Sequence, residues 1–152
     1  MQKLILPFSG VAKKTLQSDN NYTYRVLGLI SSAKDYRICH YINKELEFKF
    51  GAQEDISIKQ NKETRPFIIK PYTYIPEKSI AKYFFINNKN DNELFIKKLK
   101  EIDYFILVEG EILRTEWSFL NKKLKNIDII QHIMEIEIKY FSAIEHLIFE
   151  TK

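Results

Sequence analysis

Ile102-Asp103-Tyr104-Phe105-Ile106-Leu107-Val108 is apolar on both faces past Asp103. A segment buried on two sides belongs in the middle of a sheet, so this stretch predicts a central strand, and Gly110 follows it. Working outward, Tyr22 to Ile30 is rich in aromatic and β-branched residues and predicts a second strand, broken by Ser31 and Ser32. Ser32 and Asp35 have the spacing of a capping box. The helix that follows, over 33–48, puts Ile38, Cys39, Ile42 and Leu46 on one side, and Arg37, His40, Tyr41 and Lys44 on the other. Gly51 is its expected end.

Strands are expected at 55–60, 66–74 and 80–87, the middle one irregular or at an edge because of Pro66, Pro71 and Pro76. Asn87 to Asn92 reads as a polar turn. A helix over 115–125 carries Trp117, Leu120 and Leu124 at helical spacing. A half-buried strand over 129–138 alternates Ile130, His132, Met134, Ile136 and Ile138 with polar residues. Tyr140, Phe141, Ile144, Leu147 and Ile148 suggest a last short helix. Setting aside one extra hairpin, the order is strand, helix, strand, strand, helix, strand. That order predicts an α+β domain of the ferredoxin-like (split βαβ) kind, an antiparallel sheet with two main helices on one face.

The totals narrow the function classes. A chain of 152 residues fits one domain over 1–152, with its core over about 22–139. Apolar residues at 45% and charged residues at 29% describe a globular chain. Cys39 stands alone, which excludes an intramolecular disulfide and a multi-cysteine zinc site and points to a reducing compartment, the cytoplasm. No apolar stretch approaches the ~20 residues a membrane helix needs, and the run from Leu4 to Phe8 is too short for a secretory signal. The net charge of +4 is spread over mixed signs. Its densest basic patches are Lys97, Lys98 and Lys100, then Lys122, Lys123 and Lys125, usable for phosphate but more often solvated faces.

Three stretches carry a resemblance. Lys34-Asp35-Tyr36-Arg37-Ile38-Cys39-His40-Tyr41-Ile42-Asn43 resembles the "KDYRLCW.IN" helix of the IPExxxVDY family. Tyr83-Phe84-Phe85-Ile86-Asn87-Asn88-Lys89 and Ile96-to-Tyr104 resemble its other two landmarks. In the naming motif Ile96 matches, Lys97 and Lys98 stand where Pro and Glu are expected, and Ile102-Asp103-Tyr104 preserves the V-D-Y end. A literal Ile75-Pro76-Glu77 also occurs, but its downstream triplet is Ala81-Lys82-Tyr83, so it is a decoy. The resemblance covers roughly residues 22–110. It implies a small bacterial family without an assigned activity, and therefore a domain extent but no reaction.

In the expected topology the first and third core strands are antiparallel neighbours. Asp35, Tyr36 and Arg37 then share a sheet end with Asp103 and Tyr104. One reading pairs Arg37 with Asp103 beside an anion-favouring helix start; the plainer one, which we prefer, makes Asp35 a cap and Asp103 a structural partner. An enzyme would need Asp35, Asp103 and a histidine in one cleft. His132 is expected on the apolar side of its strand, His40 and His146 near helix surfaces, and no two of the three share metal-ligand spacing. Cys39 is expected to be inert packing. No hydrolase elbow or phosphate-binding glycine loop is present, so no catalytic, metal or cofactor residue is assigned.

Eleven Phe, nine Tyr and one Trp interleaved with lysines could stack on RNA, yet the 102–109 strand lacks the internal glycine and basic character of RNA-recognition modules. The turn Ser31-Ser32-Ala33-Lys34 likewise departs from the Asp-x-Pro-Gly of ACT-type ligand sensors. The expectation is a non-enzymatic binding or interaction module, self-associating through an edge strand or the Tyr140–Ile148 helix, or partnered by another protein. Weak RNA or anion binding through Lys97, Lys98, Lys100, Lys122 and Lys123 is the alternative.

Overall fold

The structure, a computed structural model, describes residues 24–58 and 66–141. In chain order the elements are β1 (Tyr24–Ile30), α1 (Asp35–Leu46), β2 (Gly51–Ala52), β3 (Ile56–Ile58), β4 (Phe67–Ile69), β5 (Tyr72–Tyr74), β6 (Lys82–Asn87), β7 (Lys89–Asn90), β8 (Glu93–Leu94), β9 (Tyr104–Glu109), α2 (Arg114–Lys125) and β10 (His132–Ile136). Short 3-10 turns cover Lys97–Leu99 and Ile138–Phe141. The fold is α+β. Its main sheet runs β10-β1-β9-β6-β5-β2, and every pairing in it is antiparallel. The Tyr104–Val108 stretch, apolar on both faces, lies inside it: β9 pairs with β1 from Tyr24↔Glu109 to Leu29↔Tyr104, and with β6 from Lys82↔Glu109 to Asn87↔Tyr104.

Strand alternation divides the apolar residues between two cores. Leu27, Leu29, Tyr83, Phe85, Ile106 and Val108 face both helices and meet Ile38 and Ile42 of α1 and Trp117, Leu120 and Leu124 of α2. On the opposite face Val26, Phe84, Ile86, Phe105 and Leu107 meet Ile58, Phe67 and Ile69 of the β3–β4 hairpin, together with Phe95, Ile96 and Phe141. The two described helices thus occupy one face, and among the described residues the layer on the other face has no α-helix. This second layer is why the central strands read as apolar on both sides.

Several boundaries differ from the sequence reading, each for a local reason. The expected strand 66–74 is two strands in two sheets. Pro71, which has no N–H to donate, lies where the chain leaves the β3–β4 hairpin and joins the main sheet beside β6. Helix α1 starts at Asp35 after Lys34, without a side-chain cap, and Ser31 rather than Ser32 does the local bonding: its Oγ accepts the Ala33 N–H and donates to the Ile129 carbonyl. The helix ends at Glu47, in the left-handed region at φ 58°, while Gly51 opens β2. After β9, Gly110 has φ +98°, and a Cβ there would lie 2.8 Å from the Ile80 carbonyl oxygen, so this turn requires glycine. The last expected strand is trimmed to His132–Ile136, and the expected terminal helix lies outside the described residues beyond Phe141. Among the described residues no helix is long and apolar enough to cross a membrane.

The largest departure is at Asn87 and Asn88, expected in a solvated turn and found buried, at 6% and 0% exposure. Asn87 Oδ1 accepts the Lys70 N–H, and its Nδ2 donates to the Ile68 and Lys89 carbonyls. Asn88 Nδ2 donates to the Leu99 and Ile102 carbonyls at 3.0 and 2.9 Å, and Oδ1 accepts the Ile96 N–H at 2.8 Å. Its main chain adds bonds to the Asp103 carbonyl and the Phe95 N–H. The solvated turn is displaced to Asp91 and Asn92, with Asp91 at φ 56°.

Truncating Asn88 orphans two carbonyls and one N–H at once, and each buried loss costs about 1–3 kcal/mol. Asn88→Ala is expected to destabilise by roughly 3–5 kcal/mol in urea unfolding, whereas Asn92→Ala at the exposed turn stays within about 0.5 kcal/mol. Equal midpoints for the two variants contradict this assignment.

Candidate functional site

The Asp35–Arg37 and Asp103–Tyr104 segments meet at one end of the sheet. Asp103 donates its N–H to the Leu29 carbonyl at 2.9 Å, and its Oδ2 accepts the Ser31 N–H at 2.8 Å. Tyr104 Oη donates to the Ala33 carbonyl at 2.7 Å. The ion-pair partner of Asp103 is Lys89, at 2.7 Å, rather than Arg37, whose side chain is exposed. Asn87 faces Tyr104 and the Asn88 N–H donates to the Asp103 carbonyl, so the next residue, Lys89, reaches the Asp103 carboxylate, while Arg37 rides the solvent face of α1. Asp35 accepts the Tyr36 N–H at 2.7 Å at the helix start, and the Tyr36 ring is 63% exposed. Asp103 Oδ2 and Tyr104 Oη thus join the start of β9 to the β1–α1 turn, and Asp103 Oδ1 holds Lys89.

Two tyrosine hydroxyls and one thiol near this junction are held in their protonated forms. Burial pushes the Tyr104 hydroxyl up to about 12, helped by the negative charges of Asp35 and Asp103. Tyr72, which packs edge-on to Phe85, is also pushed up to about 12 by burial and by Asp35. Burial, with Asp35 second, raises the Cys39 thiol far from the range of a reactive thiolate.

The remaining candidates do not converge on this junction. His132 lies on the side of β10 that carries the buried Ile136, as expected, but it is exposed, at the first residue of the outermost strand. His40 is exposed on α1, edge-on to Tyr41 at 5.4 Å, and His146 lies outside the described residues. Among the described residues no three potential metal ligands gather. Lys97, Lys98 and Lys100 flank a 3-10 turn whose Leu99 packs into the non-helical core, while Lys122 and Lys123 lie in the last turn of α2. The two lysine groups sit on opposite faces of the sheet.

A concave surface absent from the sequence reading lies between the helices. A groove of about 320 Å³ is lined by Phe48, Tyr74, Tyr83, Glu116, Phe119 and Leu120, among others. The left-handed Glu47 turns the chain out of α1 and sets Phe48 4.6 Å from the Tyr74 ring and 4.8 Å from the Tyr83 ring. Tyr74 and Tyr83 are direct cross-strand partners, stacked at 5.8 Å. From the first turn of α2, Glu116 Oε1 accepts the Leu113 N–H at 3.1 Å. Burial first, then Glu116 and Tyr74, pushes the Tyr83 hydroxyl up to about 12. The spacing Phe48-x-Phe50 and Tyr72-x-Tyr74 is the sequence signal for this cluster; only the register of β5 on β6 shows that it converges with Tyr83. A larger concavity of about 730 Å³, on the other face, lies between residues 53–57, which run into β3, and Pro71, Thr73, Ile75, Phe84 and Ile86.

The raised tyrosines give a pH dependence with a definite sign. Unfolded, they lose protons near pH 10; folded, they hold them to about 12. Between these values the unfolded chain binds fewer protons, so stability is full below pH 10 and falls as pH rises toward 12. Spectrophotometric titration is expected to show a tyrosine fraction ionising only with alkaline unfolding, and Tyr104→Phe is expected to make the loss of stability shallower. A single titration of all tyrosines near pH 10, with the fold intact, contradicts the burial argument. Searched against known proteins, the chain matches no family model and no curated protein.

Proposed function

We propose that this protein is a small, non-enzymatic binding module whose ligand surface is the aromatic groove between α1 and α2. The observation that carries this reading is the groove itself: three mutually packed rings and a carboxylate, presented by elements fixed in the core. Rigid, concave, mostly apolar surfaces with few polar groups are where small ligands bind. The Asp103–Tyr104 junction is read as structural, since its hydrogen-bonding atoms already have partners.

We read the four long strands as a ferredoxin-like core. The order β10-β1-β9-β6, with α1 between β1 and β6 and α2 between β9 and β10, supports it. We also place the chain in the IPExxxVDY family on its three landmark segments, and in the cytoplasm on its single, buried cysteine. Nucleic-acid binding is disfavoured because the lysine groups lie on opposite sheet faces.

Nile red, an uncharged dye that brightens in apolar sites, tests the groove. Saturable one-to-one enhancement is expected, abolished by Thr115→Trp, which fills the groove from the exposed first turn of α2. Undiminished enhancement in that variant places binding elsewhere and overturns the reading.

Self-association is assigned to the outer edge of β10, where Met134 and Ile138 are 40% and 36% exposed. Light scattering at roughly tens of micromolar is expected to give a dimer that Met134→Lys converts to a monomer. A monomeric parent protein rules this assembly out.

A further inference from the structure

The groove has a charge and ring arrangement that selects among small ligands. Its lining holds four aromatic rings from Phe48, Tyr74, Tyr83 and Phe119, and one charged side chain, the carboxylate of Glu116. Among the described residues no Lys or Arg lines it, in a chain with 24 of them and a net charge of +4. Phe119 already has the Lys123 ammonium 5.6 Å from its centroid, so the remaining wall is formed by the partly exposed Phe48 and Tyr74, with the buried Tyr83 packed against both. Aromatic faces attract weakly hydrated cations, and a nearby carboxylate adds to that attraction.

We propose that the groove binds a small quaternary ammonium compound, with its methylated head against Phe48, Tyr74 and Tyr83 and its charge answered by Glu116. This inference rests on the reading of the groove as the ligand surface. Two further observations define the class. At about 320 Å³ the groove sits at the low end of small-molecule sites, which suits a compound of few heavy atoms rather than a peptide backbone. A primary ammonium would bring three N–H donors that each need an acceptor. Two acceptors here already have partners: Glu116 Oε1 takes the Leu113 N–H and Ser79 Oγ the Ala81 N–H. A quaternary head has no N–H to leave unsatisfied.

Calorimetric titration with choline tests this, beside dimethylbutanol, its uncharged carbon isostere, and a peptide bearing trimethyl-lysine. Choline is expected to bind, to displace Nile red, and to exceed the isostere by roughly tenfold, the size of a partly desolvated cation–ring attraction. Glu116→Gln, which retains an oxygen for the Leu113 N–H, is expected to weaken choline several-fold and leave the isostere unchanged. Equal affinity for choline and isostere overturns the inference and leaves the groove as a plain apolar site. Peptide binding without choline binding overturns the small-molecule source. Failure of choline to displace bound dye also overturns it while the binding surface stands; absence of dye binding removes both.

Discussion

Five hydrogen bonds to one residue hold the sheet and its non-helical layer in register. Asn88 takes two through its main chain and three through its amide, and these tie the end of β6 to Phe95, Ile96, Leu99, Ile102 and Asp103. A polar side chain with no exposure is stable only when its donors and acceptor all find partners, and here the partners are the backbone of the irregular stretch leading into β9. That stretch lacks regular ladder bonds of its own, and the amide supplies them. Asn87 does the same for Ile68, Lys70 and Lys89. The pair therefore sets where β9 begins, and with it the alignment of Asp103 and Tyr104 on the turn before α1.

The sequence disclosed the parts governed by periodicity. The buried faces of α1 and α2 were legible residue by residue, since Ile38, Cys39, Ile42 and Leu46, and Trp117, Leu120 and Leu124, recur at helical spacing and are buried. The central place of β9 followed from its two apolar faces. What composition hid was the fate of the asparagines. An Asn-Asn-Lys-Asn-Asp-Asn run has the chemistry of a turn, and only tertiary bonding decides that the first two residues go inward. The break at Pro71 was foreshadowed by its missing N–H, although nothing local says that the two halves join different sheets.

The candidate site was legible in a different proportion. The meeting of the two motif segments followed from strand order, but the partner of Asp103 did not, because Lys89 is brought there by the chain just past β6, where Asn88 bonds to Asp103. The aromatic groove depends on the cross-strand pairing of Tyr74 with Tyr83 and on a non-glycine residue in the left-handed region at Glu47. Both are properties of the assembled backbone. Rings that look like undifferentiated core in the sequence are thereby turned into a wall.

The passage of the chain through Lys70 and Pro71 also bears on how the molecule comes apart. Ile69 belongs to the hairpin beneath the sheet and Tyr72 to the sheet itself, three positions later. Pulling the hairpin away drags on β5, and loss of β5 strips the flank of β6, where the asparagines are anchored. The two apolar interiors are joined there by a connection too short to stretch, so a displacement of one is passed directly to the other.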